Sequence, residues 1–147
     1  MINGKVIIRK ANEKDLGVIA EIFRIETAKE PYKQEWTRKT ALDKIKGFFV
    51  EADIYVPLIE GEIVGLIICK ISSNKESVYV DELWLKQKNQ GKEIGKALMR
   101  YVEDFYRKKG VKKVSLVSDK RSAAFKFYQK LKYQPHSENI FLEKILK

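Results

Sequence analysis

The stretch VYVDELWLKQKNQGKEIGKALMRYVEDFYRKKG, residues 78–110, decides the fold. Its first part is rich in β-branched and bulky residues, which predicts a strand over 78–85. Its second part carries apolar residues at helical spacing, namely Ile94, Leu98, Tyr101, Val102 and Phe105, which predicts a long amphipathic helix. Gly110 is expected to end that helix in the left-handed conformation that glycine favours.

A polar turn, QGKEIG at residues 90–95, joins the predicted strand to the helix. The first N–H groups of a helix have no intrahelical partner, so a helix N-terminus binds phosphate, and glycines let a bulky anion approach the backbone. Four lysines surround the turn and add positive potential: Lys86, Lys88, Lys92 and Lys96. The turn is therefore a candidate phosphate site. The alternative is an ordinary strand-to-helix turn with solvated lysines.

This turn resembles the cofactor-binding motif of the GCN5-related N-acetyltransferases. That motif reads Gln or Arg, two residues, Gly, one residue, then Gly or Ala at the start of a helix. Gln90 and Gly95 fill the first and last places, and Glu93 stands where the family has its middle glycine. The resemblance implies that the backbone of this turn holds the pyrophosphate of acetyl-CoA. It also implies a bulge at Leu83 to Leu85 whose backbone pairs with the pantetheine arm.

A second segment, RSAAFKFYQKLKY at residues 121–133, resembles the other motif of that family. There the order is Asn, two residues, Ala, three residues, Tyr, and a short run that ends in Gly and an aromatic residue. Ala124, Tyr128 and Tyr133 match, while Arg121 and Lys132 replace the Asn and the Gly. The resemblance implies that Tyr128 protonates the departing coenzyme A thiolate. The alternative is a tyrosine on an amphipathic helix with its hydroxyl at the surface.

The resemblance also defines the set of cofactor-binding candidates. They are Leu83, Trp84, Leu85, Gln90, Gly91, Lys92, Glu93, Ile94, Gly95, Lys96 and Arg121.

An amine acceptor needs a base, because an ammonium has no lone pair with which to attack a thioester. Asp81 and Glu82 lie on the central strand, and acidic residues at this place act as base or amine anchor in several members of the family. Adjacent side chains on a strand normally point to opposite faces, although a bulge can re-aim one of them. Alignment favours Asp81, with Glu82 close behind. The alternatives are that both face solvent, or that ordered water removes the proton.

The family's acceptor pocket is shaped by the first two helices and their connection. The residues here that could line it are Glu26, Glu30, Tyr32, Glu35 and Trp36. The alternative is a solvated loop in which Trp36 anchors the start of the second helix.

Composition sets limits on the class of protein. The chain has 147 residues, of which 44% are hydrophobic, so we expect one globular domain over 1–147. No apolar run approaches the roughly 18 residues of a membrane span, and the N-terminus lacks the apolar core of a signal peptide; a cytoplasmic protein is the expectation. Cys69 lies in an apolar run and is expected to be a buried structural thiol. One histidine and one cysteine cannot build a zinc site, and no metal is expected.

The formal net charge of +10 has three interpretations. Lysines spread over solvated faces come first, and attraction of a polyanionic cofactor comes second. Binding to nucleic acid comes third, because no segment holds the run of five or more like charges that marks a binding tail.

The remaining pattern predicts the order β-α-α-β-β-β-α-β-α-β-β, a mixed and mostly antiparallel α/β sheet flanked by helices, as in the acyl-CoA N-acyltransferase fold. Glu60-Gly61-Glu62 predicts a hairpin turn between two antiparallel strands, Ile54 to Ile59 and Glu62 to Ser72. Pro31 is expected to end the first helix. Ser118 or Asp119 is expected to cap the last helix. Two short strands are expected from residue 134 onward, the last over 140–146.

These patterns predict an enzyme that moves acetyl from acetyl-CoA to a primary amine by direct attack. The acceptor is a small amine, such as a polyamine or an aminoglycoside, or a protein amino group. A catalytically weak module that only binds a CoA ester is the alternative that Glu93 motivates, because its carboxylate would lie close to the pyrophosphate. A basic nucleic-acid-binding domain is the third. Homodimers are frequent in the family, so the oligomeric state stays open.

Overall fold

The predicted strand and helix of the central stretch form β5 and α3 in the computed structural model, which describes residues 5–91, 93–136 and 141–147. The chain divides into two units, one that ends at Val117 and one that begins at Ser118. The first unit contains β1 (Val6–Lys10), α1 (Leu16–Thr27), α2 (Arg38–Glu51), β2 (Asp53–Ile59), β3 (Glu62–Ile63), β4 (Gly65–Ile71), β5 (Ser77–Leu85), α3 (Ile94–Lys108) and β6 (Lys113–Leu116). The second contains α4 (Ala123–Lys130). The expectation of a single domain over 1–147 stays a prediction.

The sheet has the strand order β1-β2-β4-β5-β6, with β3 paired to β2. All pairs are antiparallel except β5 with β6. The fold class predicted from the sequence, a mixed and mostly antiparallel sheet with helices, is therefore confirmed. A two-residue hairpin turn at Glu60 and Gly61, both with positive φ, joins β2 to β3 as predicted.

The two faces of the sheet carry different helices. Alternate residues of β2 and β4, such as Ile54, Val56, Leu66 and Ile68, share one core cluster with the buried stripes of α1 and α2. The residues between them point to α3, where Tyr55 contacts the aromatic side chains of that helix. The sheet thus forms the middle layer of the first unit.

The helix ends follow the expected chemistry. Thr37 caps α2 through a reciprocal pair of bonds with Thr40. Gly110 follows α3 with φ of 87°, and Val111 N–H donates to the Tyr106 carbonyl at 3.0 Å. This closes a Schellman motif, so the predicted role of Gly110 is confirmed. α1 ends at Thr27, before Pro31, as expected.

Three expectations are wrong in detail. α4 begins after Ser122, not after Ser118 or Asp119, because the Asp119 carboxylate accepts the Arg121 N–H in a turn that precedes the helix. The strand predicted from Glu62 to Ser72 is interrupted at Val64. The final strands are absent from 133–136 and 141–147, the described parts of that tail; 137–140 lie outside the described residues. The apolar side chains of the last segment stand at 141, 142, 145 and 146, a spacing that does not alternate as a half-buried strand requires.

Candidate active site

β5 has a bulge at Asp81. Val80 lies opposite Cys69 and Glu82 lies opposite Ile68, so Asp81 is the extra residue. The bulge predicted at Leu83 to Leu85 is therefore misplaced: those three residues pair regularly with Gly65 to Ile67. Two adjacent polar residues, 81 and 82, interrupt the apolar pattern of the strand, and the bulge accommodates one of them as the extra residue.

The bulge coincides with the point at which β5 and β6 separate. β5 pairs with β6 only from Ser77 to Val80. Beyond Val80, none of the strands that the structure describes pairs with that edge of β5, while the other edge stays bonded to β4. Backbone groups on the edge of residues 81–85 that faces away from β4 are therefore open to an extended ligand, apart from the Leu85 carbonyl, which accepts from Gln90 Nε2.

The bulge also turns two carboxylates to one face. The register places Tyr79, opposite Lys70, and Glu82, opposite Ile68, on the face of α1 and α2. Asp81 Oδ2 lies 3.9 Å from Lys70 Nζ and so points to that face as well. The normal alternation, which would have separated Asp81 from Glu82, does not apply here.

Glu82 is the more enclosed of the two acids. Its Oε1 accepts a 2.7 Å hydrogen bond from Trp84 Nε1. Burial raises the pKa of Glu82 above its ordinary value, and the charge of Asp81 adds to the rise, while the Trp84 bond and Lys44 act against it. A carboxylate with a raised pKa in such a place is suited to proton transfer.

Aromatic rings pack beside these carboxylates. Trp84 contacts Tyr32 with ring centroids 4.9 Å apart and Phe23 at 6.5 Å. Trp36 packs on Phe23 at 5.2 Å and donates its Nε1–H to Gln34. These four rings, which we call the aromatic wall, comprise Phe23, Tyr32, Trp36 and Trp84. Tyr32 and Trp36 were expected near an acceptor pocket, whereas Phe23 resembled any core residue of α1 in the sequence.

The other acceptor candidates have different surroundings. Glu30 is exposed and forms an ion pair with Lys33 at 3.0 Å, and Glu35 is exposed. These two side chains belong to a solvated loop, as the alternative interpretation had it. Glu26 is buried in the last turn of α1 and is considered with Gln90 below.

The turn between β5 and α3 has the backbone of a glycine-rich loop. Gly91 has φ of 73° and Glu93, the N-cap of α3, has φ of 66°. Glu93, which stands where the motif has its middle glycine, thus adopts the left-handed region, at a backbone cost of roughly 1–2 kcal/mol. Its carbonyl accepts the Ala97 N–H at 3.0 Å, which starts the helix. Lys92 lies outside the described residues.

The side chains of the first helical turn divide between core and surface. Ile94 and Gly95 are buried, and Lys96 is half-buried. The first N–H groups of α3 belong to this turn and have no intrahelical partner. The Ile94 side chain therefore belongs to the core, and the backbone N–H groups of this turn are suited to contact a phosphate.

Gln90 uses its side chain within the protein. Its Nε2 donates to the Glu26 Oε1 at 3.2 Å and to the Leu85 carbonyl at 3.1 Å. Glu26 also binds Lys29, and Lys29 donates to Gln87 Oε1 at 2.9 Å. The sequence offered one signal for this arrangement, since Glu26 occupies an apolar position of the helical stripe that includes Ile19, Ile22 and Phe23.

The second unit carries the other candidates. Tyr128 is buried and its ring contacts Tyr133 at 6.0 Å. Lys132 has φ of 74°, and Tyr133 N–H donates to the Tyr128 carbonyl, so Lys132 occupies the left-handed place of a Schellman motif where the family has glycine. The Arg121 guanidinium binds Asp119 at 2.7 and 3.0 Å and holds the pKa of that carboxyl at about 2.

Two kinds of site are absent from the described ranges, 5–91, 93–136 and 141–147. Within them, no group of three or more His, Cys, Asp or Glu side chains is placed to hold a metal ion. Nor does any helix in these ranges have the length and apolar character that crossing a bilayer requires.

The sequence matches a known protein family and a named relative. A family model described as Acetyltransferase (GNAT) family matches residues 19–133. The chain belongs to the GNAT acetyltransferase family. The spermidine N(1)-acetyltransferase of Thermoplasma acidophilum is 30% identical over an alignment of 139 residues, and the match covers 84% of this chain and 84% of that one.

Two solved structures show the same GNAT fold. One, described as a possible acetyltransferase from Clostridium difficile 630, has a TM-score of 0.81 at 16% identity and covers 97% of this chain and 99% of that one. The other is the PaiA N-acetyltransferase of Thermoplasma acidophilum in complex with coenzyme A. It has a TM-score of 0.69 at 25% identity and covers 86% of this chain and 88% of that one.

Proposed function

We propose that the chain transfers an acetyl group from acetyl-CoA to a small primary amine by direct attack. The observation that carries this proposal is the bulge at Asp81. It lies where the β5–β6 pairing ends, and it turns Asp81 and Glu82 to one face beside the open edge of β5. An open strand edge and two carboxylates are therefore adjacent in one element.

The open edge of β5, residues 81–85, suits the amide-containing arm of coenzyme A, and the N-terminus of α3 suits its pyrophosphate. Acetyl-CoA supplies the acetyl thioester. We assign Leu83 to Leu85 to the arm through their backbone, and residues 90–96 to the phosphates.

We assign the base to Glu82, in preference to Asp81. Its raised pKa favours acceptance of a proton from the acceptor ammonium, directly or through water, which frees the nitrogen lone pair for attack. Asp81, paired loosely with Lys70 at 3.9 Å, is suited to attract the ammonium. We assign to Tyr128 the proton that the sulfur receives as the C–S bond breaks.

The aromatic wall supports an acceptor with an alkyl chain. Cations lie favourably over aromatic faces, and methylene groups gain from apolar contact. A polyamine combines both features, and the Thermoplasma acidophilum relative is named for spermidine. Polyamines are therefore the first acceptors to test, with aminoglycosides and peptide amines after them.

A module that binds a CoA ester without transferring is the second candidate, and Glu93 favours it. Its carboxylate adds negative charge at the turn assigned to the pyrophosphate, and its φ of 66° suits glycine better.

The test begins with calorimetry of acetyl-CoA and of desulfo-CoA at moderate salt. Micromolar binding followed by thiol release with spermidine supports the enzyme. Binding without thiol release from any amine tested supports the binding module. Absence of binding at millimolar acetyl-CoA contradicts both.

A further inference from the structure

Glu26 is a buried carboxylate in an unusual place. It belongs to the last turn of α1 and is only 6% exposed. Charged side chains are rarely buried unless they are paired, because removal from water disfavours the charge. The pairing of Glu26 therefore indicates what this charge does.

The partners of Glu26 connect α1 with the first part of the segment that links β5 to α3. Oε1 accepts from Gln90 Nε2 at 3.2 Å, and both carboxylate oxygens accept from Lys29 Nζ, at 3.0 and 2.9 Å. Gln90 Nε2 also donates to the carbonyl of Leu85, the last residue of β5. Lys29 Nζ also donates to Gln87, in the short helical turn between them.

The bonds join residues far apart in sequence. Glu26 and Gln90 are separated by 64 positions, and Lys29 and Gln87 by 58. A charge-assisted network of this kind restricts the backbone on which its members sit. Here that backbone is the start of the glycine-type turn, whose other end is Glu93, the N-cap of α3.

We propose that Glu26 is a positioning residue, which holds the phosphate-binding turn in shape through Gln90 and Lys29. The proposal rests on the proposed binding of acetyl-CoA to that turn. Glu26 acts from α1 and contacts no part of the cofactor. Gln90, the first residue of the motif, serves the turn from within the protein and leaves the anion to the backbone amides.

The test compares Glu26→Ala with Glu21→Ala. Both carboxylates lie on α1 and pair with a cation three positions later, Lys29 or Arg24. Only Glu26 bonds to the turn. We expect Glu26→Ala to raise the dissociation constant of coenzyme A about tenfold, which is the order of effect of one lost charge-assisted hydrogen bond. Glu21→Ala should leave that constant unchanged.

Two further variants separate positioning from general stability. Glu26→Gln keeps an oxygen that can accept from Gln90, so it should recover part of the affinity. Gln90→Ala should weaken binding, and the double variant Glu26→Ala/Gln90→Ala should weaken it by less than the product of the single effects. Equal affinity for Glu26→Ala and the unmodified chain overturns the proposal. Equal losses of coenzyme A affinity in Glu26→Ala and Glu21→Ala would also overturn it. So would a double variant whose loss of affinity equals the product of the two single effects.

Hydrogen exchange tests the same idea without any cofactor. The Asn89 and Gln90 amides donate to Lys86 and Gln87 within the turn. We expect Glu26→Ala to exchange these amides faster than the unmodified chain, with Glu26→Gln in between, while α2 keeps its protection. Unchanged exchange overturns the positioning role. Faster exchange in a chain that binds no coenzyme A supports the positioning role and contradicts only the proposed function.

Discussion

The indole Nε1 of Trp84 donates a 2.7 Å hydrogen bond to Oε1 of Glu82, two residues earlier on β5. The bond directs one carboxylate oxygen toward the aromatic wall and fixes the side chain on the face of α1 and α2. Trp84 therefore belongs both to that wall and to the acid–base chemistry proposed for Glu82.

The pH dependence of turnover should report Glu82. Glu82 must be ionised to act as a base, so kcat/KM should fall as the pH drops through its pKa. Because that pKa is raised, the fall should occur at a higher pH than for an ordinary glutamate. Glu82→Gln should lower kcat/KM on the order of 100-fold and remove that acidic limb. Steady-state assays across pH measure both effects. Asp81→Asn is the matched control, which should raise KM and retain the limb; loss of the limb there would transfer the role to Asp81.

Tyr128→Phe should lower kcat on the order of 100-fold, because the departing thiolate would leave without a proton donor. The dissociation constant of coenzyme A should change little. Tyr133→Phe removes a hydroxyl from the ring that contacts Tyr128 and serves as the control. Turnover that is equal in Tyr128→Phe and the unmodified chain would exclude Tyr128 from the mechanism.

Glu93→Gly should tighten acetyl-CoA binding about fivefold, because about 1 kcal/mol of repulsion from the carboxylate disappears. Glu93→Gln removes the charge but keeps a side chain at positive φ, so calorimetry on both variants separates charge from backbone. Lys75→Gly, at φ of 60° in the β4–β5 turn, relieves a similar backbone conformation and should leave cofactor affinity unchanged. If all three variants bound acetyl-CoA with the affinity of the unmodified chain, Glu93 would have no effect on binding.

Asp15→Asn should destabilise the fold by about 1.5–3 kcal/mol at neutral pH, since Asp15 accepts two bonds from Arg9 and one from the Asn12 N–H. These bonds lower the pKa of Asp15. Its contribution is therefore complete above the ordinary aspartate pKa and is lost as the pH falls through the lowered value.

Urea unfolding at pH 7 and at acidic pH measures the difference in unfolding free energy between Asp15→Asn and the unmodified chain. This difference should be smaller at acidic pH. Asp43→Asn, which breaks an exposed pair with Lys39, should leave the stability nearly unchanged at both pH values. A penalty for Asp15→Asn that persists at low pH would contradict the assignment to charge.

Local chemistry made much of the fold predictable. Pro31, Gly61 and Gly110 each restrict the backbone in a way that a short window of sequence reveals, and the apolar stripe of α3 needs no other information. The position of the bulge was not predictable, because register depends on which residue of β4 faces each residue of β5. A resemblance to relatives placed it nearer the end of the strand than Asp81.

The candidate site was predictable to a different degree. The two motifs indicated the turn and Tyr128, since their spacing is local. The shared face of Asp81 and Glu82 and the bonds of Glu26 arise from contacts between elements far apart in sequence, and no local pattern encodes such contacts. What the sequence did contain was a carboxylate within the apolar stripe of α1.

Among the strands that the structure describes, none pairs with the outer edge of β5 beyond Val80, and this open edge affects the behaviour of the protein at high concentration. An exposed strand edge is a template to which an extended segment of another chain can add, and such addition is a route to aggregation. A pantetheine arm lying along residues 81–85 would occupy the same hydrogen-bonding groups. Bound cofactor would then prevent self-association through this edge. The protein purified with coenzyme A should therefore remain in solution longer than the protein purified without it.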